Sequence, residues 1–207
     1  MAMQNRQHEL TAVARVRVAL SVRHVHLTQG SVERLFGAGH VLRVATPLWQ
    51  PGQYAAEETV TLRGPHGSIA HVRIVGPPRG ADQVEVSGSD ERMLGLHAPL
   101  RVSGRLEDTP GITLLGPEGA LTLDHGVVRP LRHLHLSPVD AEVLGLRNGQ
   151  WVSVAVTTGE RRMIFDDVAV RVAPDARLEV HLDTDEGNAG GLCTGDEVSL
   201  MVIDGER

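Results

Sequence analysis

The stretch RVRVALSVRHVHLT, residues 15–28, indicates both the main secondary structure of the chain and its chemistry. Apolar residues at positions 16, 18, 20 and 22 alternate with Arg, Ala and Ser, which is typical of a half-buried β-strand. His24 and His26 keep the parity of the apolar residues. If the strand continues, both rings lie on its apolar side, about 6.5 Å apart along the backbone. They are then placed to bind one metal ion or two adjacent ions.

The end of this stretch occurs twice. Arg23-His24-Val25-His26-Leu27-Thr28 is repeated as Arg132-His133-Leu134-His135-Leu136-Ser137. A single His-x-His pair is weak evidence in a chain with 11 histidines, whereas two copies within one longer frame do not arise by chance. The repeat predicts a metal site assembled from two related halves.

The remaining segments indicate a mainly β fold. Further strand candidates are Thr59–Leu62, Ala70–Val75, Gln83–Ser87, Ile112–Leu115, Ala120–Leu123, Trp151–Val156, Val168–Val172 and Leu178–Leu182, with Gly-rich turns at 64–67 and 116–119. Capping signals after each His-x-His predict short helices: Thr28–Ser31 precede a helix at Val32–Phe36 that ends at Gly37, and the other begins at Ser137-Pro138 and ends at Gly145. Many short strands separated by turns predict two small β-barrels with short capping helices.

Composition limits the classes of partner. A chain of 207 residues suits one large or two small domains. The net charge of −6 argues against nucleic acid, and all 20 basic side chains are Arg, which favours bidentate contact with phosphate or carboxylate. The single cysteine, Cys193, excludes an intrachain disulfide and fits a reducing cytoplasm. No apolar run is long enough to cross a bilayer, so no membrane partner is predicted.

Further ligand candidates lie on other predicted strands. Glu85 and His181 would each be interpreted as solvent-facing residues if they stood alone. Beside two His-x-His pairs they complete a set of five imidazoles and one carboxylate, which suits two zinc-like ions with Glu85 able to bridge them. Arg79, in a rigid turn six residues before Glu85, is a candidate for binding an anion. The other histidines, predicted to be surface or loop residues, are His8, His40, His66, His71, His97 and His125.

These residues belong to longer motifs that resemble a known family, the PduL-type phosphate propanoyltransferases, which are phosphotransacylases. The motifs are Arg23–Leu27, Gln50–Val60, Gln83–Glu85, Thr109–Ile112, Arg132–His135 and His181–Glu186. They occur in the family's order, and the resemblance covers about residues 16–192.

The resemblance implies transfer of a propanoyl or acetyl group between coenzyme A and inorganic phosphate, at a dinuclear zinc site in a homodimer. It also implies that residues 13–22 and 131–203 form one barrel and residues 23–130 form the other.

Carried over by motif, particular residues take the family's roles. The metal ligands would be His24, His26, Glu85, His133, His135 and His181. Arg79 would hold phosphate, in a site lined by Gln50, Gln53, Gln83, Ser103 and Arg171. Coenzyme A would lie near Ser21, Arg73, Asn188 and His181. The family commonly has a Lys near coenzyme A, and this chain has none.

Two other functional classes stay open. A dinuclear metallohydrolase acting on a thioester or ester also combines His-x-His pairs with carboxylates, although neither pair here is followed by Asp-His. A binding module with structural zinc is the other, but six ligands for two ions leave coordination positions open. Family members in bacterial microcompartments carry an amphipathic N-terminal extension; residues 1–10 have no clear apolar stripe, so both the free cytoplasm and a microcompartment lumen remain open.

Overall fold

A computed structural model describes residues 10–203, so the prediction for His8 and most of the segment 1–10 lie outside the described residues. The strands are β1 (Leu10–Ser21), β2 (His24–His26), β3 (Val44–Pro47), β4 (Tyr54–Arg63), β5 (Ser68–Gly76), β6 (Gln83–Glu85), β7 (Leu100–Arg101), β8 (Ile112–Leu115), β9 (Ala120–Leu123), β10 (Val127–Pro130), β11 (His133–Leu136), β12 (Trp151–Val156), β13 (Met163–Val172), β14 (Glu179–Asp183) and β15 (Glu197–Ile203). The helices are α1 (Gln29–Phe36), α2 (Gly88–Leu94), α3 (Pro138–Leu144) and α4 (Thr184–Gly190).

The helices are short and begin where the sequence places side-chain caps. The hydroxyls of Thr28 and Ser137 accept hydrogen bonds from backbone N–H groups in the first turns of α1 and α3; Thr28 is the first residue of the predicted capping segment, so α1 begins at Gln29 rather than at Val32. Ser87 caps α2 in the same way, which is why β6 ends at Glu85 and not at Ser87. Gly145 ends α3 in the left-handed conformation (φ 66°), where a side chain would be strained. None of the helices within residues 10–203 is long and apolar enough to cross a membrane.

The contacts divide the chain into two units. One contains the described residues up to Leu20, Arg132–Leu182, and those from Glu186 onward. The other contains Ser21–Leu131 and Asp183–Asp185. The mainly β prediction is confirmed: within residues 10–203 one unit is a closed six-stranded barrel and the other is a curled nine-stranded sheet.

The first unit is the closed barrel, in the order β1-β14-β11-β13-β12-β15. Alternating residues of these strands point inward and form a core of aliphatic side chains, in keeping with a chain that is only 2% aromatic. Val18, Leu134 and Leu200 are fully buried in this core. Closure removes free strand edges and fixes the strands that flank β11.

The second unit is the curled sheet, in the order β7-β10-β6-β2-β5-β4-β8-β9, with β3 paired to β4. The predicted hairpin turns lie at the β4–β5 and β8–β9 connections. The strand that contains Val16 and Val18 does not continue through His24, because β1 ends at Ser21 and β2 joins this second sheet. The alternation in residues 15–28 therefore spans two strands that belong to different sheets.

Candidate metal centres

The first ligand group lies at the centre of the curled sheet. In β2, His24 is opposite Glu85 of the antiparallel neighbour β6, and β5 runs parallel on the other side. His24, His26 and Glu85 are all buried. Their ligand atoms lie within 4.8 Å of one another, so the sequence-predicted residues of this half come together.

The distances within this group fit a tetrahedral ion. The Nε2 atoms of His24 and His26 are 3.1 Å apart, and the Glu85 carboxylate oxygens lie 3.5 Å and 3.8 Å from them. Ligand atoms about 2.0 Å from a tetrahedral zinc ion are separated by about 3.3 Å. Two imidazoles and one carboxylate at these spacings therefore fit zinc, and three protein ligands leave a fourth position for a substrate.

The imidazoles of this group are oriented for metal binding by the backbone. Nδ1 of His24 lies 2.9 Å from the carbonyl oxygen of Val22, and Nδ1 of His26 lies 3.0 Å from that of Val75. When each Nδ1–H donates to its carbonyl, Nε2 keeps its lone pair for a metal. Burial, with smaller effects of His24 and Arg79, lowers the pKa of His26 to about 2, so its ring is neutral at neutral pH.

The second ligand group lies in the barrel and consists of His133, His135 and His181. The Nε2 atoms of His133 and His135 are 3.1 Å apart, and the His181 ring centroid lies 4.9 Å and 4.6 Å from the centroids of these two rings. Burial, with smaller effects of His181 and Arg171, lowers the pKa of His135 to about 3. Three imidazole nitrogen donors with an open position also fit zinc.

The two groups are built on the same strand arrangement. In each unit the His-x-His strand has an antiparallel neighbour that supplies the third ligand and a parallel neighbour on its other side. His24 pairs with Glu85, and His133 pairs with His181, at the same register position. The repeated sequence frame therefore corresponds to a repeated structural frame, with a carboxylate in one half and an imidazole in the other.

The arginine of the repeated frame connects each strand to a helix. Arg23 forms an ion pair with Asp90 of α2, with Nη2 2.7 Å from Oδ1. Arg132 forms one with Glu186 of α4, with Nε 3.0 Å from Oε1. Both acids stand five residues after the third ligand of their own half. Sequence reasoning missed these two acids, although this common spacing was visible in the sequence.

Three of the residues assigned to phosphate lie beside the first group. Gln83 precedes Glu85 by two residues on β6, and its Nε2 donates to Glu85 Oε1 (2.6 Å) and to Ser103 Oγ (2.9 Å). Arg79 Nη1 also donates to Ser103 Oγ (3.4 Å), while its backbone N–H donates to the carbonyl oxygen of Leu27. Arg79, Gln83 and Ser103 therefore form one connected polar cluster next to the ligands.

The other assigned residues take distinct positions. Arg171 is the register partner of His135 on β13, and Arg73 is that of His24 on β5. Gln50 is buried and Gln53 is half-buried, both in the turn between β3 and β4. Ser21 ends β1, and Asn188 is exposed on α4.

The histidines outside the two groups agree with the surface-or-loop prediction where they are described. His66, His71, His97 and His125 are exposed. His40 lies in a loop and is half-buried against Glu58, whose carboxylate is 2.8 Å from its Nε2.

Comparison with known proteins places this geometry in a family. A family model for phosphate propanoyltransferases matches residues 17–193. The chain is 50% identical to a phosphate propanoyltransferase of Thermotoga maritima, over 89% of this chain and 88% of that protein. It is 52% identical to the one of Salmonella typhimurium, over 84% and 82%, and 47% identical to the one of Shewanella putrefaciens, over 90% and 88%. The chain belongs to the phosphate propanoyltransferase family.

This membership confirms the predicted resemblance and the predicted enzyme class, a phosphate acyltransferase. Both ligand groups and the Arg79 cluster lie within the matched residues.

Proposed function

We propose that this protein interconverts acyl-coenzyme A plus phosphate with acyl phosphate plus free coenzyme A, using two zinc ions per chain in a dinuclear centre. The acyl group is propanoyl or acetyl. The observation that carries this proposal is the duplicated three-ligand frame, with an arginine charge acting on one histidine in each half, the buried His26 and the half-buried His135. Membership of the phosphate propanoyltransferase family supports the reaction class.

The ligand groups support the metal part of the proposal. His24, His26 and Glu85 would hold one ion, and the group in the barrel, His133, His135 and His181, would hold the other. Zinc, when bound, would supply a Lewis acid for the thioester carbonyl oxygen and a soft partner for the coenzyme A thiolate. The lowered pKa values of His26 and His135 keep protons from competing for their donor nitrogens.

The Arg79 cluster supports the phosphate part. Arg79 presents a planar guanidinium for bidentate contact with a phosphate dianion, and its bond to Ser103 limits where that guanidinium points. Gln83 links Ser103 to Glu85, so phosphate held by Arg79 lies close to the ligand group. Arg171 would offer a second positive charge beside His135.

The reaction then needs few proton transfers. An oxygen of bound hydrogen phosphate attacks the thioester carbon, the C–S bond breaks, and coenzyme A leaves as the thiolate, which takes up the proton that the phosphate loses. Arg79 offsets the repulsion between the phosphate charge and the negative charge that develops on the carbonyl oxygen. Gln50 and Gln53 would line this site, and Ser21, Arg73, Asn188 and His181 would lie near coenzyme A.

The test is to incubate zinc-loaded protein with propanoyl- or acetyl-coenzyme A, with and without phosphate, and to measure free thiol and acyl phosphate. We expect thiol release that requires phosphate and yields an equal amount of acyl phosphate. Release without phosphate would instead support the metallohydrolase, and no release would support a binding module. His24→Ala should lose activity, while His125→Ala, at an exposed histidine outside both groups, should retain it.

The homodimer, the cytoplasmic location and the alternative location in a bacterial microcompartment lumen stay predictions. So do the domain boundaries at 13–22 with 131–203, and at 23–130.

A further inference from the structure

We propose that Glu179 is a positioning residue for the metal group of the barrel: its carboxylate accepts a hydrogen bond from Nε2–H of His181 and thereby leaves Nδ1 as the metal-binding nitrogen. This inference rests on the proposed zinc site. Glu179 has no role in the assignments made from the sequence.

The geometry places the Glu179 carboxylate within hydrogen-bonding distance of the ligand His181. Glu179 and His181 are two residues apart on β14, so their side chains leave the same face of the strand. Oε2 of Glu179 lies 3.0 Å from Nε2 of His181, which is hydrogen-bonding distance. A neutral imidazole that donates from Nε2 has its lone pair on Nδ1.

The carboxylate itself is held in place. Glu179 is only 2% exposed, and such a buried charge is costly unless it is paired. Arg17, on the neighbouring strand β1, supplies the pairing charge, with Nε 3.4 Å from Oε1. One oxygen thus faces a cation and the other faces the ligand histidine. This is the arrangement by which a carboxylate fixes the orientation of a metal-binding imidazole.

In the other half of the duplication, the corresponding pair is Gln83 and Glu85 on β6, with the donor and acceptor roles exchanged. Gln83 occupies the position on β6 that Glu179 occupies on β14, since they are register partners of His26 and His135. There the third ligand is the Glu85 carboxylate, and the Gln83 amide donates to it at 2.6 Å. Where the ligand is an acceptor its neighbour is a donor, and where the ligand is a donor its neighbour is an acceptor. In each half, the residue two positions before the third ligand therefore has the hydrogen-bonding group that this ligand requires.

The first test measures zinc affinity at each site by chelator competition on the whole protein. Loss of a partner that orients a metal ligand typically costs about 10- to 100-fold in metal affinity. We expect Glu179→Ala to lower the zinc affinity of one of the two sites by that factor and to leave the affinity of the other site unchanged. Glu179→Gln, which keeps an acceptor oxygen without the charge, should lie between it and the wild type. Glu142→Gln, at an exposed carboxylate of α3, is the matched control.

The outcomes separate this inference from the proposed function. Wild-type zinc affinity at both sites in Glu179→Ala would overturn the positioning role, and so would equal weakening of both ions, which indicates general structural damage. A wild-type protein that binds no zinc would remove the proposed metal site itself, and the inference with it.

The second test does not depend on whether a variant folds. In zinc-loaded wild-type protein with ¹⁵N-labelled histidine, long-range ¹H–¹⁵N spectra distinguish the protonated ring nitrogen from the one that binds metal. We expect His181 to carry its proton on Nε2 and to bind zinc through Nδ1. A His181 ring with zinc on Nε2 would overturn the inference.

Discussion

At the scale of single residues, the chain contains no lysine, so any basic side chain that binds phosphate must be an arginine. Arg79 acts on the buried His26 and Arg171 on the half-buried His135, and each arginine contributes to lowering the pKa of its histidine. A guanidinium is always charged and presents a planar fork of donors, which suits phosphate better than the point charge of an ammonium group. The arginine in each half is therefore the natural place to test phosphate binding.

We expect Arg79→Ala to raise the Michaelis constant for phosphate or lower turnover, for a loss of about 10- to 100-fold in kcat/KM, because a charged hydrogen bond contributes about 1.5–3 kcal/mol. Zinc content should not change, since Arg79 is not in the predicted ligand set. Arg79→Lys should rescue only partly, because it lacks the bidentate fork. Arg63→Ala, at an exposed arginine of β4, is the control. Unchanged phosphate dependence in Arg79→Ala would remove this residue from the site.

Cys193 is the only thiol of the chain and so the only candidate for a cysteine acyl-enzyme. It is exposed, in a loop after α4 where its backbone N–H donates to Asp196. Direct attack by bound phosphate needs no covalent enzyme intermediate. We therefore expect Cys193→Ala to retain most activity, and initial-rate plots against the two substrates to intersect. Parallel plots, with an inactive Cys193→Ala that still holds zinc, would establish a covalent route instead.

At the scale of elements, each His-x-His strand is tied to the helix that follows its antiparallel partner strand. Asp90 is only 1% exposed and also caps α2, so it links the strand before His24 to the start of that helix. Glu186 makes the equivalent link to Arg132 in the barrel, at a more exposed position. The arginine of the repeated frame thus joins its strand to a helix, and the two histidines are the candidate metal ligands.

We expect Arg23→Met to lower the free energy of unfolding by about 1–3 kcal/mol, because it leaves the buried Asp90 carboxylate without its cation. Arg132→Met should cost less, since water reaches Glu186 more easily. Urea unfolding of the metal-free protein measures both. In the double variant Arg23→Met/Asp90→Asn, part of the loss should be recovered, because no unpaired charge remains. Equal stability of wild type and Arg23→Met would show that the pair contributes nothing.

Local rules predicted the elements well, and pairing between distant strands explains what they missed. The caps at Thr28 and Ser137 and the turns at 64–67 and 116–119 depend on neighbouring residues, so the sequence indicates them directly. The break after Ser21 depends on which sheet accepts β2, and alternation alone does not encode that choice. Glu179 lies two residues before His181 on β14, a spacing visible in the sequence, whereas its pairing with Arg17 depends on β1 being the neighbour of β14.

At the scale of the whole molecule, the duplication predicts how the metals are divided. Each unit contains one complete three-ligand group, so each group should bind its ion with ligands of its own half. We expect two zinc ions per chain in protein purified without added metal, by elemental analysis. His24→Ala and His133→Ala should each lower zinc content by about one ion and greatly reduce activity. Full activity in a metal-free preparation would rule out the zinc mechanism.

Metal removal should also expose a pH dependence of stability that His26 and His135 create. The pKa values of His26 and His135 are lowered to about 2 and about 3, from an ordinary value of 6.5 that applies to the unfolded chain. At pH values between the folded-state pKa and 6.5, these histidines are protonated in the unfolded chain and neutral in the folded one. Unfolding therefore takes up protons, and a lower pH favours unfolding. The stability of the metal-free protein should therefore be highest above pH 6.5 and fall steadily toward pH 3.

Urea unfolding of chelator-treated protein at several pH values between 7 and 4 measures this dependence. Each of the two histidines adds up to one proton to the uptake, so His26→Gln should make the fall shallower and His26→Gln/His135→Gln shallower still. Each substitution removes one group whose burial, complete or partial, opposes its protonation. The same slope in all three proteins would mean that these rings take up protons as readily in the folded state as in the unfolded chain, contrary to their burial.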